Sequence, residues 1–250
     1  MAGTETGGSS KTNITLSLNR HSVDTTTMVS AIKASLESKF SLLAKTLGAN
    51  EAAAKKWTDE FIARYTEPQR HYHTLNHIHA IFQCLDQFRS WVKDETTMKL
   101  AIFFHDWIYD PKSKDNEIDS IKCFKDFANE IGLSDSLSSR VSGYIERTTT
   151  HTLPNDVQEA DSDLSLFLDF DLEVLSRSDA DYARYAEQIQ AEYSHLKPVD
   201  YYAGRLKVLR SFLDRDCLYF SDVFVESREQ KARRNLEQEI SALLECKAPD

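Results

Sequence analysis

An all-α fold follows from three observations. Apolar residues recur at helical spacing along most of the 250 residues. Seven Gly and five Pro leave little turn chemistry for hairpins. No pair of segments shows the strict alternation of two half-buried strands. Such helices must bury their apolar faces against one another, and a 41% hydrophobic chain can furnish the core of a bundle.

Taken in order, residues from Met1 to about Asp24 are rich in Gly, Ser and Thr. That composition buries too little apolar surface to offset its ordering entropy, so a disordered tail is expected there, followed by a single helical domain over about 25–250. From Met28 a helix is marked by Val29, Ile32, Leu36, Phe40 and Leu43. Asn50, followed by Glu51 and a run of Ala, predicts a capped second helix reaching Tyr65, and Pro68 breaks the chain after it. Amphipathic repeats predict further helices over about 74–92, 96–106, 115–131, 135–149, 157–175, 179–195, 198–214 and 226–245. The charged run Glu226 to Arg234 reads as a solvated helix face laced with charge pairs.

Composition excludes several classes of function. A net charge of −10 offers no footprint for a long nucleic acid. No stretch approaches the roughly 20 apolar residues of a membrane span, and the first residues lack a signal peptide's apolar region, so a soluble, cytoplasmic protein is expected. Cys84, Cys123, Cys217 and Cys246 show no metal or redox spacing and read as reduced thiols. The glycosylation triplet Asn13-Ile14-Thr15 carries no weight without a secretory signal.

The chemistry-bearing residues cluster in three places. His105-Asp106 ends the apolar run from Ala101 to Phe104, setting an imidazole and a carboxylate side by side. Adjacent ligands share one metal where the backbone turns sharply, as at a helix terminus. Upstream, four of the eight histidines lie between Arg70 and His79, and His73 and His77 stand four apart, on one helical face. Downstream, Asp169 and Asp171 end an apolar stretch, where a carboxylate is costly unless it is paired or binds a cation. One of those two is expected to be a ligand. A site of two imidazoles and two carboxylates suits one divalent Mn, Fe, Co, Ni or Zn better than Mg. Such an ion lowers the pKa of water toward about 7 and polarises phosphorus, so phosphoester hydrolysis is its natural use. Arg70 and Arg205 are candidate phosphate clamps, and His151 could touch phosphate.

From about Arg64 to Leu236 the chain resembles the HD-domain superfamily, in particular a branch of metal-dependent HD phosphohydrolases. The pieces that carry the likeness are Arg70-His71-Tyr72-His73-Thr74-Leu75-x-His77, His105-Asp106-x-x-Tyr109-Asp110-Pro111, Asp115-Asn116-Glu117, Asp169-x-Asp171-Leu172 and Ala232-Arg233-x-Asn235-Leu236. The resemblance implies an HD-domain-like helical bundle around a buried metal held by His77, His105, Asp106 and Asp171. It selects Asp171 as the last ligand, leaving Asp169 as its partner or a cap. It makes Glu117 the candidate general base, or the group that orients a ligand imidazole, beside Asp106 at the reacting centre, with Asn116 as a supporting donor. His73 and His151 would contact substrate or serve a second metal. Where the family usually has Arg this chain has Gln190, with Arg184 nearby. The implied activity is hydrolysis, by metal-activated water, of a small phosphorylated substrate such as a nucleotide or related metabolite. An HD-fold di-iron oxygenase and a non-catalytic metal-binding scaffold are the alternatives.

Overall fold

Capping residues divide the chain much as its sequence suggests. Asn50, Thr74, Asp94, Ser134, Asp161 and Ser178 each accept, through a side-chain oxygen, from an amide in the first turn of the next helix. The structure is a computed structural model that describes residues 13–153 and 161–246, with side chains described from residue 27 onward. The described residues form helices α1 (Asn13–Thr46), α2 (Glu51–Arg64), α3 (Leu75–Gln87), α4 (Glu95–Phe104), α5 (Asn116–Ile131), α6 (Asp135–Thr148), α7 (Ser162–Asp171), α8 (Asp179–Glu192), α9 (Pro198–Leu213) and α10 (Asp222–Glu245). No strand occurs among them, so the fold is all-α.

Departures from the expected boundaries have local causes. Of the expected tail, residues 1–12 lie outside the described residues, while the backbone of 13–24 is already helical within α1. Extending a helix from a formed segment adds one hydrogen bond per residue fixed, so α1 can run ahead of its apolar repeat. The helix expected over 74–92 stops at Gln87; a 3₁₀ turn, Arg89–Trp91, leads to the Asp94 cap of α4. The one expected over 157–175 starts at Ser162 behind its Asp161 cap and ends at Asp171, before a 3₁₀ turn over Glu173–Ser176; residues 157–160 lie outside the described residues.

Aromatic residues of α1, α2, α4 and α5 fill the core. Phe40 stacks on Phe61 with ring centroids 5.4 Å apart, and Phe104 stacks on Trp107 at 4.4 Å. Leu100 through Phe104 are all buried, which makes α4 the central helix. Burying one such side chain contributes roughly 1.5–3 kcal/mol, so this nest anchors the turn that follows α4.

The expected solvated face of α10 is only partly solvated. Glu229 accepts from the amides of Leu218 and Tyr219, while Arg233 donates to the carbonyls of Leu213, Arg215 and Asp216. Buried Asn235 donates to the carbonyls of Leu175 and Arg177. Glu229 and Arg233 thus satisfy backbone groups of the segment between α9 and α10, and Asn235 does the same for the turn before α8.

Candidate metal centre

The turn after α4 brings His105 and Asp106 together. His105 caps the helix with its amide bonded to Ala101 O, and Trp107 N bonds Phe104 O. Arg70 then grips the turn from outside, donating to the carbonyl of Asp106 at 2.7 Å and of Trp107 at 2.9 Å. Asp171 arrives as the last residue of α7, which packs on α3 and α4. His77 sits in the first turn of α3, fixed by the Thr74 cap.

His77 Nε2 lies 3.2 Å from His105 Nε2, 3.1 Å from Asp171 Oδ1 and 3.6 Å from Asp106 Oδ2. His105 Nε2 lies 3.1 Å from Asp106 Oδ2 and 3.4 Å from Asp171 Oδ1. His105 Nδ1 donates to the Ile102 carbonyl at 3.0 Å, which leaves the lone pair on Nε2, facing the other groups. Four atoms that bear lone pairs when the imidazoles are neutral therefore converge, and both histidines are buried. His77, His105 and Asp171 make the tightest set, their ligating atoms all within 4.8 Å of one another.

The electrostatics agree with the geometry. Burial opposes an imidazolium at His105, yet the Asp106 and Asp171 carboxylates outweigh it and hold that group well above its usual range. For His77 burial prevails, helped by the neighbouring His105, and its pKa falls. Burial raises Asp106 and Asp171, but His105 and the other imidazoles pull both below the ordinary carboxylate range. The cluster demands positive charge, which a proton or a metal ion can supply.

Asp171 also lines a cavity of about 570 Å³ between α8, α9 and the end of α6. Tyr185, Tyr193, Tyr201, Ile189 and Val208 give it a largely apolar and aromatic wall, with His73, His151, Arg205 and Arg215 among its polar groups. Tyr72 borders it with a buried hydroxyl that has no hydrogen-bond partner among the described residues.

The expected site residues divide into those that reach this region and those committed elsewhere. His73 reaches it, but not as a helical neighbour of His77, because α3 begins only at Leu75 and His73 precedes the cap. Its Nδ1 lies 2.8 Å from Glu192, and its ring stacks on Tyr109. His151 Nε2 lies 2.8 Å from Asp171 Oδ2, and its backbone is left-handed, with φ 47°. Arg205 lines the cavity with its guanidinium in a two-point ion pair with Glu239.

Arg70 does not face the cavity. Its donors go to Glu67 and to the carbonyls of His73, Asp106 and Trp107, and the side chain is buried. Asn116 exchanges hydrogen bonds with the backbone of Asp110 and so closes the loop ahead of α5. Glu117 is half-buried, and no hydrogen bond or ion pair joins it to the cluster or the cavity. Asp169 turns away from Asp171 and accepts from the amides of Phe220 and Ser221 and the Ser221 hydroxyl. Gln190 is exposed on α8, and Arg184 pairs with Asp181 at the surface, so neither borders the cavity.

Sequence reasoning missed Glu192 and Arg215. The amides of His71, Tyr72 and His73 all donate to one oxygen of Glu192, while the other takes His73 Nδ1 and the Tyr109 hydroxyl. Burial works against its charge, but these donors prevail and hold Glu192 at about 2. A signal was present: Glu192 stands three residues after Ile189, on the buried stripe of α8. For Arg215, in a turn, no periodic signal exists.

No family model matches the chain, and neither a curated protein nor a solved structure matches it. The donor set itself fits a divalent transition ion: two imidazole nitrogens and two carboxylates from three segments, with one imidazole oriented by a backbone carbonyl.

Proposed function

We propose that the chain is a metal-dependent hydrolase of small organic phosphoesters. The observation that carries this reading is the convergence of His77, His105, Asp106 and Asp171 beside a cavity of metabolite size. A divalent ion held by those four residues supplies Lewis-acid polarisation of a phosphoryl oxygen and makes water a nucleophile near neutral pH.

The protein's own groups do the rest. Asp171 joins the cluster to the cavity, so a phosphoryl group at the cluster leaves its organic part among Tyr185, Tyr193 and Tyr201. Those rings suit a flat or apolar body, and a bound molecule can satisfy the Tyr72 hydroxyl. His73, tied through Nδ1 to Glu192, keeps Nε2 as its remaining polar atom and is placed to hold or deliver a proton. Asp106, gripped through its carbonyl by Arg70, is fixed beside His105.

The test is phosphate release from nucleotides and sugar phosphates with added Mn²⁺, comparing the parent with the double variant His105→Ala, Asp106→Ala. Release by the parent and none by the variant is expected; equal rates would overturn the reading. A two-ion version, which includes the di-iron oxygenase chemistry, has one observation in its favour. Asp171 offers Oδ1 to His77 and Oδ2 to His151, as a bridging carboxylate would. A metal stoichiometry of two per chain would select it.

A further inference from the structure

We propose that Arg215 forms the anion subsite of the cavity, taking phosphate oxygens of the substrate; this rests on the phosphoester reading above. Arg70, Arg205 and Arg215 differ in what their guanidinium groups have left to give. Arg70 has four hydrogen bonds to Glu67 and backbone carbonyls and is sealed from the cavity. Arg205 faces Glu239 at 2.7 and 3.0 Å, so its charge is neutralised where it stands.

Arg215 differs from both. It donates from Nη1 to the His151 carbonyl at 2.8 Å and from Nη2 to the Thr150 carbonyl at 3.0 Å. A guanidinium has five N–H groups, so three make no hydrogen bond among the described residues. No carboxylate pairs with it among the described residues, and burial alone lowers its pKa with no anion to offset the cost. Its Cζ lies over the Phe212 ring, 4.4 Å from the centroid, a contact that uses no donor. A half-buried cation in a cavity wall, with no carboxylate partner and with donors left over among the described residues, matches the needs of a phosphate.

The location also suits the cluster. His151, whose carbonyl Arg215 holds, reaches Asp171 through Nε2 at 2.8 Å. One residue therefore separates the arginine from a candidate ligand. Arg233 in turn donates to the Arg215 carbonyl, so the backbone carrying the fork is itself held from α10. His151 keeps its left-handed conformation between these two contacts.

Inorganic phosphate is the probe, titrated calorimetrically into the full chain with and without Mn²⁺. Arg215→Met keeps the side chain's length and its packing on Phe212 but removes charge and donors. It should weaken phosphate about ten- to a hundred-fold, the usual effect of losing charge-assisted hydrogen bonds. Arg215→Lys, with charge but no fork, should fall between. Arg184→Met, a surface change outside the cavity, should match the parent. Circular dichroism and Mn²⁺ affinity, measured on each variant, separate a lost subsite from a lost fold.

Arg215-dependent phosphate binding supports the subsite whether or not Mn²⁺ is needed. No binding by the parent overturns it, as does binding that Arg215→Met leaves unchanged while stability alone drops. Failure of the phosphohydrolase reading looks different: phosphate binds through Arg215, yet no phosphoester is turned over.

Discussion

Asp169 and Asp171 stand two residues apart at the end of α7 and face different parts of the protein. Asp169 Oδ1 accepts from Phe220 N at 2.7 Å, whereas Asp171 Oδ1 lies 3.1 Å from His77 Nε2. Two helical positions differ by about 200° around the axis, so the carboxylates cannot share a site.

Their variants should separate accordingly. Asp169→Ala orphans two amides and a hydroxyl ahead of α10 and should cost about 2–4 kcal/mol of stability while leaving Mn²⁺ affinity intact. Asp171→Ala should abolish tight Mn²⁺ binding. Denaturant unfolding and metal titration of both proteins check this, and loss of metal from Asp169→Ala alone would reverse the assignment.

Metal should stabilise the fold. An ion at a hundred times its dissociation constant adds about 2.7 kcal/mol and raises Tm by several degrees. The parent should show that rise in thermal scans, and His77→Ala and His105→Ala should not. An equal rise in all three would place the ion elsewhere.

Acid should loosen the His73–Glu192 pair. Glu192 sits at about 2 in the folded protein against an ordinary 4.5, so its contribution is complete above 4.5 and is lost as pH falls toward 2. The loss is at most about 3 kcal/mol. His73, although burial opposes its charge, is raised from 6.5 by Asp106 and Glu192. Its share is complete below 6.5 and is lost at higher pH, once its raised value is passed. The pair therefore contributes most between about 4.5 and 6.5. Stability measured against pH for the parent minus Glu192→Gln should show that window; a flat difference would contradict it.

Arg70→Lys should fail to reproduce the fork that holds the Asp106 and Trp107 carbonyls. Losses of about 2–4 kcal/mol in stability and weaker Mn²⁺ binding together are expected, read by chemical unfolding and metal titration. Unchanged metal affinity would mean that the turn keeps its shape without the fork.

The sequence revealed some of this and hid the rest for physical reasons. Helix count and most boundaries were legible because caps such as Asn50, Ser134 and Ser178 are local signals. His105, Asp106 and the Asp169/Asp171 pair stood out because costly groups ended apolar runs, whereas His77 and the choice of Asp171 came from the resemblance. Arg70 misled, since a guanidinium that binds carbonyls and one that binds phosphate look alike until the backbone is placed. Glu192 lies about 120 residues from the amides it binds, a distance no local pattern spans. Arg215 stands out only by what its neighbours lack.

Three consecutive amides from the segment before α3, His71, Tyr72 and His73, rest on a single oxygen of α8. Their exchange with solvent deuterium therefore requires α8 to lift away, and the three protons should exchange as one group, at a rate set by that opening. The approach to the histidines and the far wall of the cavity thus form one cooperative unit, and any motion that admits a large molecule past α8 also releases the hold on His73.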